Sequence, residues 1–351
     1  MTYVNKGSVT AIGIIFPVLV IISLAIRSYG WRRYARNVEI DDFLIVPAAL
    51  LTIAAGVAMV IGAQMNIIAG HSVPMITPTE QHKLGKFEYA FWIGHVLTIG
   101  FIKLALLFLF RRIFKGRAYR TPFDYANWTL IILVITWTLV FLFFEIFACG
   151  SDPAVSWSSL TSLRTKCVDT FAMQTGCAVF SWVLDLAILI EPLCMVGTLN
   201  MSVYKKLQVS FVFLFSLFAV VAGLLRMIVW IQIEIQGTMN QYTKVLDTIL
   251  PSVDQEGIVS IILFWTYVEI GVGFQVACLP PCARHLDKLS LSLLVTKIRS
   301  LPSVLSLSKR SSRSDKDKST EESKRSWTSS PRPKNSRSDD EREFYRDQYQ
   351  V

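Results

Sequence analysis

Five ionisable side chains sit deep within long apolar runs, and they are the groups in this sequence with chemistry to offer: Lys103, Asp185, Glu191, Arg226 and Glu269. A sixth, Glu145, stands near the end of such a run. A charge at mid-membrane costs about 2.5–3.5 kcal/mol on insertion scales, so groups of this kind pair, line a cavity or carry protons. At roughly 1.5 Å per helical residue, Lys103 and Glu191 lie about 10 Å from one membrane face, with Asp185 and Glu269 near the midplane. Arg226 and Glu145 fall close to the opposite face. These depths suggest two ion pairs, Lys103 with Asp185 or Glu191, and Arg226 with Glu145. Such pairs can simply lock helices together. The same five residues are also the candidates for contact with a ligand. Asp185, Glu191 and Glu269 are the candidates for a general acid or base, because a carboxyl held out of water can keep or pass a proton.

Cys149 and Cys167 bracket one connection between apolar runs and are expected to form a disulfide that ties it down as a lid. Cys177, Cys194 and Cys278 fall inside apolar runs, where a thiol behaves as a small hydrophobe. Cys282 follows the last run, a place suited to reversible palmitoylation. The four histidines, 71, 82, 95 and 285, are too scattered to suggest a metal site. No cofactor is expected. Retinal would need a lysine in the last helix, and the segment GIVSIILFWTYVEIGVGFQVACLP has none. P-loop, Rossmann, His-Glu-x-x-His and Gly-x-Ser-x-Gly patterns are absent from the sequence as well.

The elements that must position these groups follow from composition. The 351 residues are 52% hydrophobic and only 17% charged, with a mean hydropathy of +0.46. A soluble domain is roughly 45–50% apolar and about 25% charged, so a soluble enzyme, a nucleic-acid binder and a secreted disulfide module are excluded. A spanning helix needs about 20 apolar residues. Seven runs meet that: Val9–Ile26, Phe43–Ile67, Tyr89–Phe110, Trp128–Phe147, Phe171–Leu199, Leu207–Ile233 and Ile258–Leu279. The expected fold is all-α, a seven-helix membrane bundle over residues 9–282 behind a short N-terminus of residues 1–8.

Lys and Arg set its orientation. Arg27, Arg32, Arg33 and Arg36 follow the first run, Arg111 to Arg120 the third, and Lys205 and Lys206 the fifth. These connections belong in the cytosol, which places the N-terminus outside and the C-terminus inside. The first run lacks the basic leader and cleavage site of a signal peptide, so it is expected to remain as a span. The sequons at Asn127 and Asn200 fall on the cytosolic side and are expected to carry no sugar. Residues 283–351 hold 16 Lys/Arg against 10 Asp/Glu. Residues 283–308 alternate Leu and Ile with basic groups, a pattern shared by amphipathic interfacial helices and plain disordered tails. Residues 309–351, rich in Ser, Lys, Arg and Asp, are expected to be disordered and to be a kinase substrate.

Seven short motifs in order carry a family resemblance. They are Asp41-Asp42-Phe-Leu, Lys103-Leu…Phe-Arg111-Arg112-Ile-Phe and Cys149…Pro153…Trp157…Cys167-Val-Asp169. They continue with Asp185…Ile188-Leu189…Pro192, then Lys206 with Arg226, then Glu269, then Cys278-Leu279-Pro280. Over about residues 10–285 the chain resembles the fungal rhodopsin-domain family of seven-helix membrane proteins. That family includes receptor-like proteins with an extracellular cysteine-rich domain, and membrane proteins of secondary-metabolite clusters such as the satratoxin one. With six cysteines and so short an N-terminal stub, no cysteine-rich ectodomain is expected here. Glu191 directly before Pro192 departs from a site that is commonly apolar in the family. The resemblance implies a receptor-like, multi-pass protein that binds a small lipophilic ligand within the bundle and signals to a cytosolic partner. The alternative is a membrane-embedded tailoring enzyme, or a transporter, acting on a lipophilic secondary metabolite. The partners expected are the lipid bilayer and that ligand, and not nucleic acid.

Overall fold

The exterior of the chain is apolar where a soluble protein would be wet. On the first helix Ile14, Ile15, Val18, Ile21 and Ile22 are all exposed, and on the fourth so are Ile132, Leu133, Phe143 and Phe144. Monomeric soluble proteins rarely expose contiguous apolar faces of this kind, and in a chain with seven spanning helices these faces meet lipid. The computed structural model describes residues 3–34, 39–69, 78–114, 122–158, 165–198, 203–236, 242–245, 248–251, 254 and 256–278. Cys282, Asn200, the juxtamembrane segment 283–308 and the tail 309–351 lie outside the described residues.

Among the described residues, 7 helices are long and apolar enough to cross a membrane. They are α1 (Lys6–Tyr34), α2 (Ile40–Gln64), α3 (Pro78–Phe114), α4 (Pro122–Phe147), α5 (Thr170–Thr198), α6 (Val203–Gln236) and α7 (Glu256–Cys278). Each coincides with one of the expected runs, although α2 ends at Gln64, three residues before the expected Ile67. α3 extends furthest beyond its run, adding the polar turns around Glu80, His82 and Lys86 at its outer end. "Outer" and "cytosolic" are used here in the sense fixed by the basic connections.

Neighbours in sequence pack as neighbours in space from α1 to α4, and again from α4 through α5 to α6. α7 closes the bundle. Tyr267 Oη donates to the Thr52 carbonyl on α2 at 3.2 Å, and Ser23 Oγ on α1 bonds Gln275 at 2.7 Å. Small residues permit the approach: a Cβ on Gly271 would stand inside the Phe16 ring of α1. α3 and α7 are the most enclosed helices, so the core lies between them.

One element was not legible from the sequence. Strands β1 (Tyr242–Val245) and β2 (Thr248–Pro251) pair antiparallel in the connection from α6 to α7, with Tyr242 opposite Pro251. Tyr, Thr, Val and Ile suit a pleated strand. Runs of four residues are too short to show a periodicity against the apolar helices beside them.

Candidate functional site

At the centre of the bundle α3, α5, α6 and α7 each supply one charged side chain. Lys103 Nζ on α3 donates to the Ser181 carbonyl on α5 at 2.9 Å and to Asp185 Oδ1 one turn further along that helix. Arg226 on α6 pairs through Nε with Glu269 Oε2 on α7. Its Nη1 lies 2.8 Å from His95 Nε2 on α3. A guanidinium has only donors, so Nε2 must accept, and the imidazole proton therefore sits on Nδ1.

The two ion pairs form one cluster. A Cβ on Gly223 of α6 would stand 3.4 Å from Asp185 Oδ2 and 3.6 Å from both Glu269 Oε1 and Trp182 Cδ1. Absence of a side chain at Gly223 thus keeps open the space between the two carboxylates. Lys103 is 3% exposed, Arg226 1% and Glu269 3%. Two cations face two anions, so the cluster is charge-balanced. Burial at such depth is tolerable only because every charge has an opposite partner.

Hydrogen bonding is less complete than charge. Among the described residues, Arg226 Nη2, His95 Nδ1, Trp182 Nε1 and Trp230 Nε1 have no acceptor, and neither do the hydroxyls of Ser181 and Thr266. Arg226 Nε engages Glu269 Oε2, while Glu269 Oε1 has no partner of its own among the described residues. Buried donors without partners are rare in folded proteins.

Of the expected site residues, Lys103, Asp185, Arg226 and Glu269 come together. Lys103 takes Asp185 rather than Glu191. The pairing of Arg226 with Glu145 is corrected: Arg226 takes Glu269. α6 continues to Gln236, so Arg226 lies roughly 15 Å below its outer end and level with Glu269. Glu145, in the last turn of α4, is too shallow to reach it and accepts from the Gln174 amide of α5 instead.

Glu191 stands apart from the cluster. It is buried beside Asn127 of α4, and neither of its carboxyl oxygens has a hydrogen-bond partner among the described residues. Asn127 Nδ2 bonds the Leu107 carbonyl at 3.3 Å, and the side chain is buried inside the bundle. His95, Trp182 and Trp230 stand beside the cluster and are absent from the expected contacts. Their signal in the sequence is a hydrogen-bonding ring within an apolar run, which says nothing of its neighbours.

The outer connection from α4 to α5 is built as the cysteine spacing implied. Cys149 and Cys167 are disulfide-bonded, and the Val168 amide donates to the Ala148 carbonyl at 2.9 Å beside the bridge. Between them a 3-10 turn, Pro153–Trp157, is started by Asp152, whose side chain accepts from the Ala154 amide at 3.2 Å. Trp157 then lies on α3, its ring 5.2 Å from Tyr89 and its carbonyl 3.0 Å from His82 Nδ1. Asp169 caps α5 through the amides of Phe171 and Ala172. Removing the bridge with Cys149→Ser is expected to cost about 3 kcal/mol while leaving the helices folded. Thermal melts in detergent check this: reductant should bring the wild type down to the variant, and a wild type indifferent to reductant would contradict it.

At the cytosolic end a second ionic cluster joins α1, α2 and α3. Arg27 donates to Asp42 Oδ1 and Asp41 Oδ2, each at 2.7 Å. Arg112 reaches Asp41 Oδ1 at 3.2 Å and Glu39 Oε1 at 3.0 Å. Glu39 and Asp42 also form the capping box of α2. Asp41-Asp42 and Arg112 thereby acquire one shared role, while Arg111 turns to α4, 3.5 Å from Asp124 and over the Trp128 ring.

The model of the fungal rhodopsin domain matches residues 26–288. The chain belongs to the fungal rhodopsin-domain family. The match covers all of the charged cluster and the disulfide-bridged loop. Relatives of this fungal rhodopsin-domain chain include the polyenoic acids biosynthesis gene cluster protein Ba17b of Metarhizium anisopliae. It is 26% identical over 286 residues, 80% of this chain and 73% of that protein. Another is the phomoidride biosynthesis cluster protein H of Fungal sp. (strain ATCC 74256), 27% identical over 166 residues, 39% of this chain and 57% of that protein. No solved structure matches the chain.

Proposed function

We propose that this membrane protein binds a small lipophilic metabolite between its helices, in the manner of a receptor, at the cluster of Lys103, Asp185, Arg226 and Glu269. The observation that carries the reading is the set of buried, unpartnered polar groups around a charge-balanced centre. A cluster serving only to lock helices would gain from satisfying every donor, since each unmet one is costly in a dry site. The names of two relatives, both biosynthesis-cluster proteins, suggest a metabolite of that origin.

A second reading, a tailoring enzyme of such a cluster, draws on one feature. Asp185 and Glu269 face a common gap at Gly223, as a base and an acid acting on one bound molecule would.

Gly223 gives the test. A Cβ there meets its neighbours at ordinary contact distance, so Gly223→Ala should retain the ligand, whereas Gly223→Leu should fill the gap and exclude it. Protein purified from fungal membranes would be extracted and the released small molecules weighed by mass spectrometry. A metabolite retained by wild type and Gly223→Ala but lost from Gly223→Leu is the expected result. If wild type holds nothing beyond what Gly223→Leu holds, binding at this cluster is wrong. A molecule released in altered form, with the alteration lost in Glu269→Gln, would favour the enzyme.

A further inference from the structure

The unpartnered atoms around the cluster are predominantly donors, and this limits what the ligand can be. Arg226 Nη2, His95 Nδ1, Trp182 Nε1 and Trp230 Nε1 are four N–H groups that no described acceptor meets. Two of them, Arg226 and Trp230, share a face of α6 with Gly223 at spacings of three and four residues, while His95 comes from α3 and Trp182 from α5. Charge argues in the other direction. Lys103 is answered by Asp185 and Arg226 by Glu269, and His95 is neutral because its Nε2 accepts from Arg226. An anionic ligand would place an unbalanced negative charge at mid-membrane, where desolvation makes it costly. The unpartnered donors therefore match hydrogen-bond acceptors without charge.

Aromatic rings stand beside these donors on the outer side. Trp92 packs at 5.8 Å from His95 and 5.4 Å from Trp230, and Phe171 lies 6.4 Å from Trp230. Flat, unsaturated carbon packs well against ring faces and edges of this kind.

Building on the binding reading above, we propose that the ligand is a neutral, carbonyl-bearing molecule on an unsaturated apolar body. Its carbonyl oxygens accept from Trp230, Trp182, His95 and Arg226. Esters, lactones and ketones belong to this class, and free carboxylates do not.

The full chain in lipid nanodiscs tests this with three conjugated polyenes of equal length, a methyl ester, the free acid and the plain hydrocarbon. Energy transfer from tryptophan reads the binding. The ester is expected to bind about tenfold tighter than the hydrocarbon, the gain of one to two hydrogen bonds, and also tighter than the acid. Trp230→Phe and Trp182→Phe keep the ring and remove only the donor. Each should weaken the ester about three- to tenfold and leave the hydrocarbon unchanged. An acid that binds as tightly as the ester overturns the charge argument, and a hydrocarbon that equals the ester overturns the role of the donors. Either outcome leaves the binding reading standing. Failure of all three probes overturns the carbonyl assignment, and only if wild-type protein also carries no metabolite does the binding reading fall with it.

Discussion

Asp185→Asn is expected to reduce the folded protein recovered from membranes severely, and adding Lys103→Met is expected to restore most of it. Asp185 is the counter-ion of Lys103, and their helices, α3 and α5, meet at this point. The Asn side chain keeps a hydrogen-bonding oxygen but not the charge, so the Lys103 ammonium is left in a dry site with neutral acceptors and no counter-ion from α5. Stranding one member of a buried pair typically costs about 3–5 kcal/mol. The Asp185 side chain is 18% exposed, which puts the effect at the lower end, about 3 kcal/mol. A methionine at 103 removes the stranded charge while filling similar volume, and the two changes should be strongly non-additive. Fluorescence-detected size exclusion of the two singles and the double measures the recovery. A double variant no better than Asp185→Asn would show that the aspartate does not serve the lysine. Full recovery with ligand retention lost separates the ligand role of the pair from its structural one.

Spans were legible in the sequence because a helix crossing the bilayer needs about 20 apolar residues, and the only other spanning structure, a closed barrel, would show short alternating strands instead. The loop was legible for a similar reason, since two cysteines on the oxidising side have one obvious use. Partner choice inside the bundle was only half legible. Depth put Lys103 level with Glu191 and Asp185 nearer the midplane, which left two partners open, and the structure joins Lys103 to Asp185. Arg226 was misassigned because its helix was read as ending at Ile233, whereas it continues to Gln236 and lowers Arg226 to the level of Glu269. Depth also says nothing about lateral order. That α7 lies against α6, while α4 packs on α3 and α5, is a packing outcome that no hydropathy pattern records. Gly223 was invisible for a related reason: a glycine acquires meaning only from what stands opposite its missing side chain.

Arg27→Met is expected to be about as damaging, at about 3–5 kcal/mol, although it lies far from the proposed ligand. Arg27 is 2% exposed and spans two carboxylates that are themselves 1% and 0% exposed. One guanidinium serves both, Nε toward Asp42 and Nη2 toward Asp41, a division that the planar fork allows. With Arg27 gone, Arg112 stays in place at 3.2 Å from Asp41 and 3.4 Å from Asp42, so the cluster is weakened rather than emptied. Arg27→Lys separates geometry from charge. A lysine keeps the positive charge but offers a single compact donor group, so it should recover only part of the loss. Thermal melts of the detergent-solubilised protein rank the three, with wild type above Arg27→Lys and Arg27→Met lowest. Equal melting of Arg27→Lys and wild type would mean that charge alone holds α1 to α2. Because this cluster joins the cytosolic ends of α1, α2 and α3, ligand affinity should hold in both variants at temperatures where they stay folded. A large loss of affinity there would instead tie the cytosolic cluster to the central one through α3, the helix that carries Arg112, Lys103 and His95.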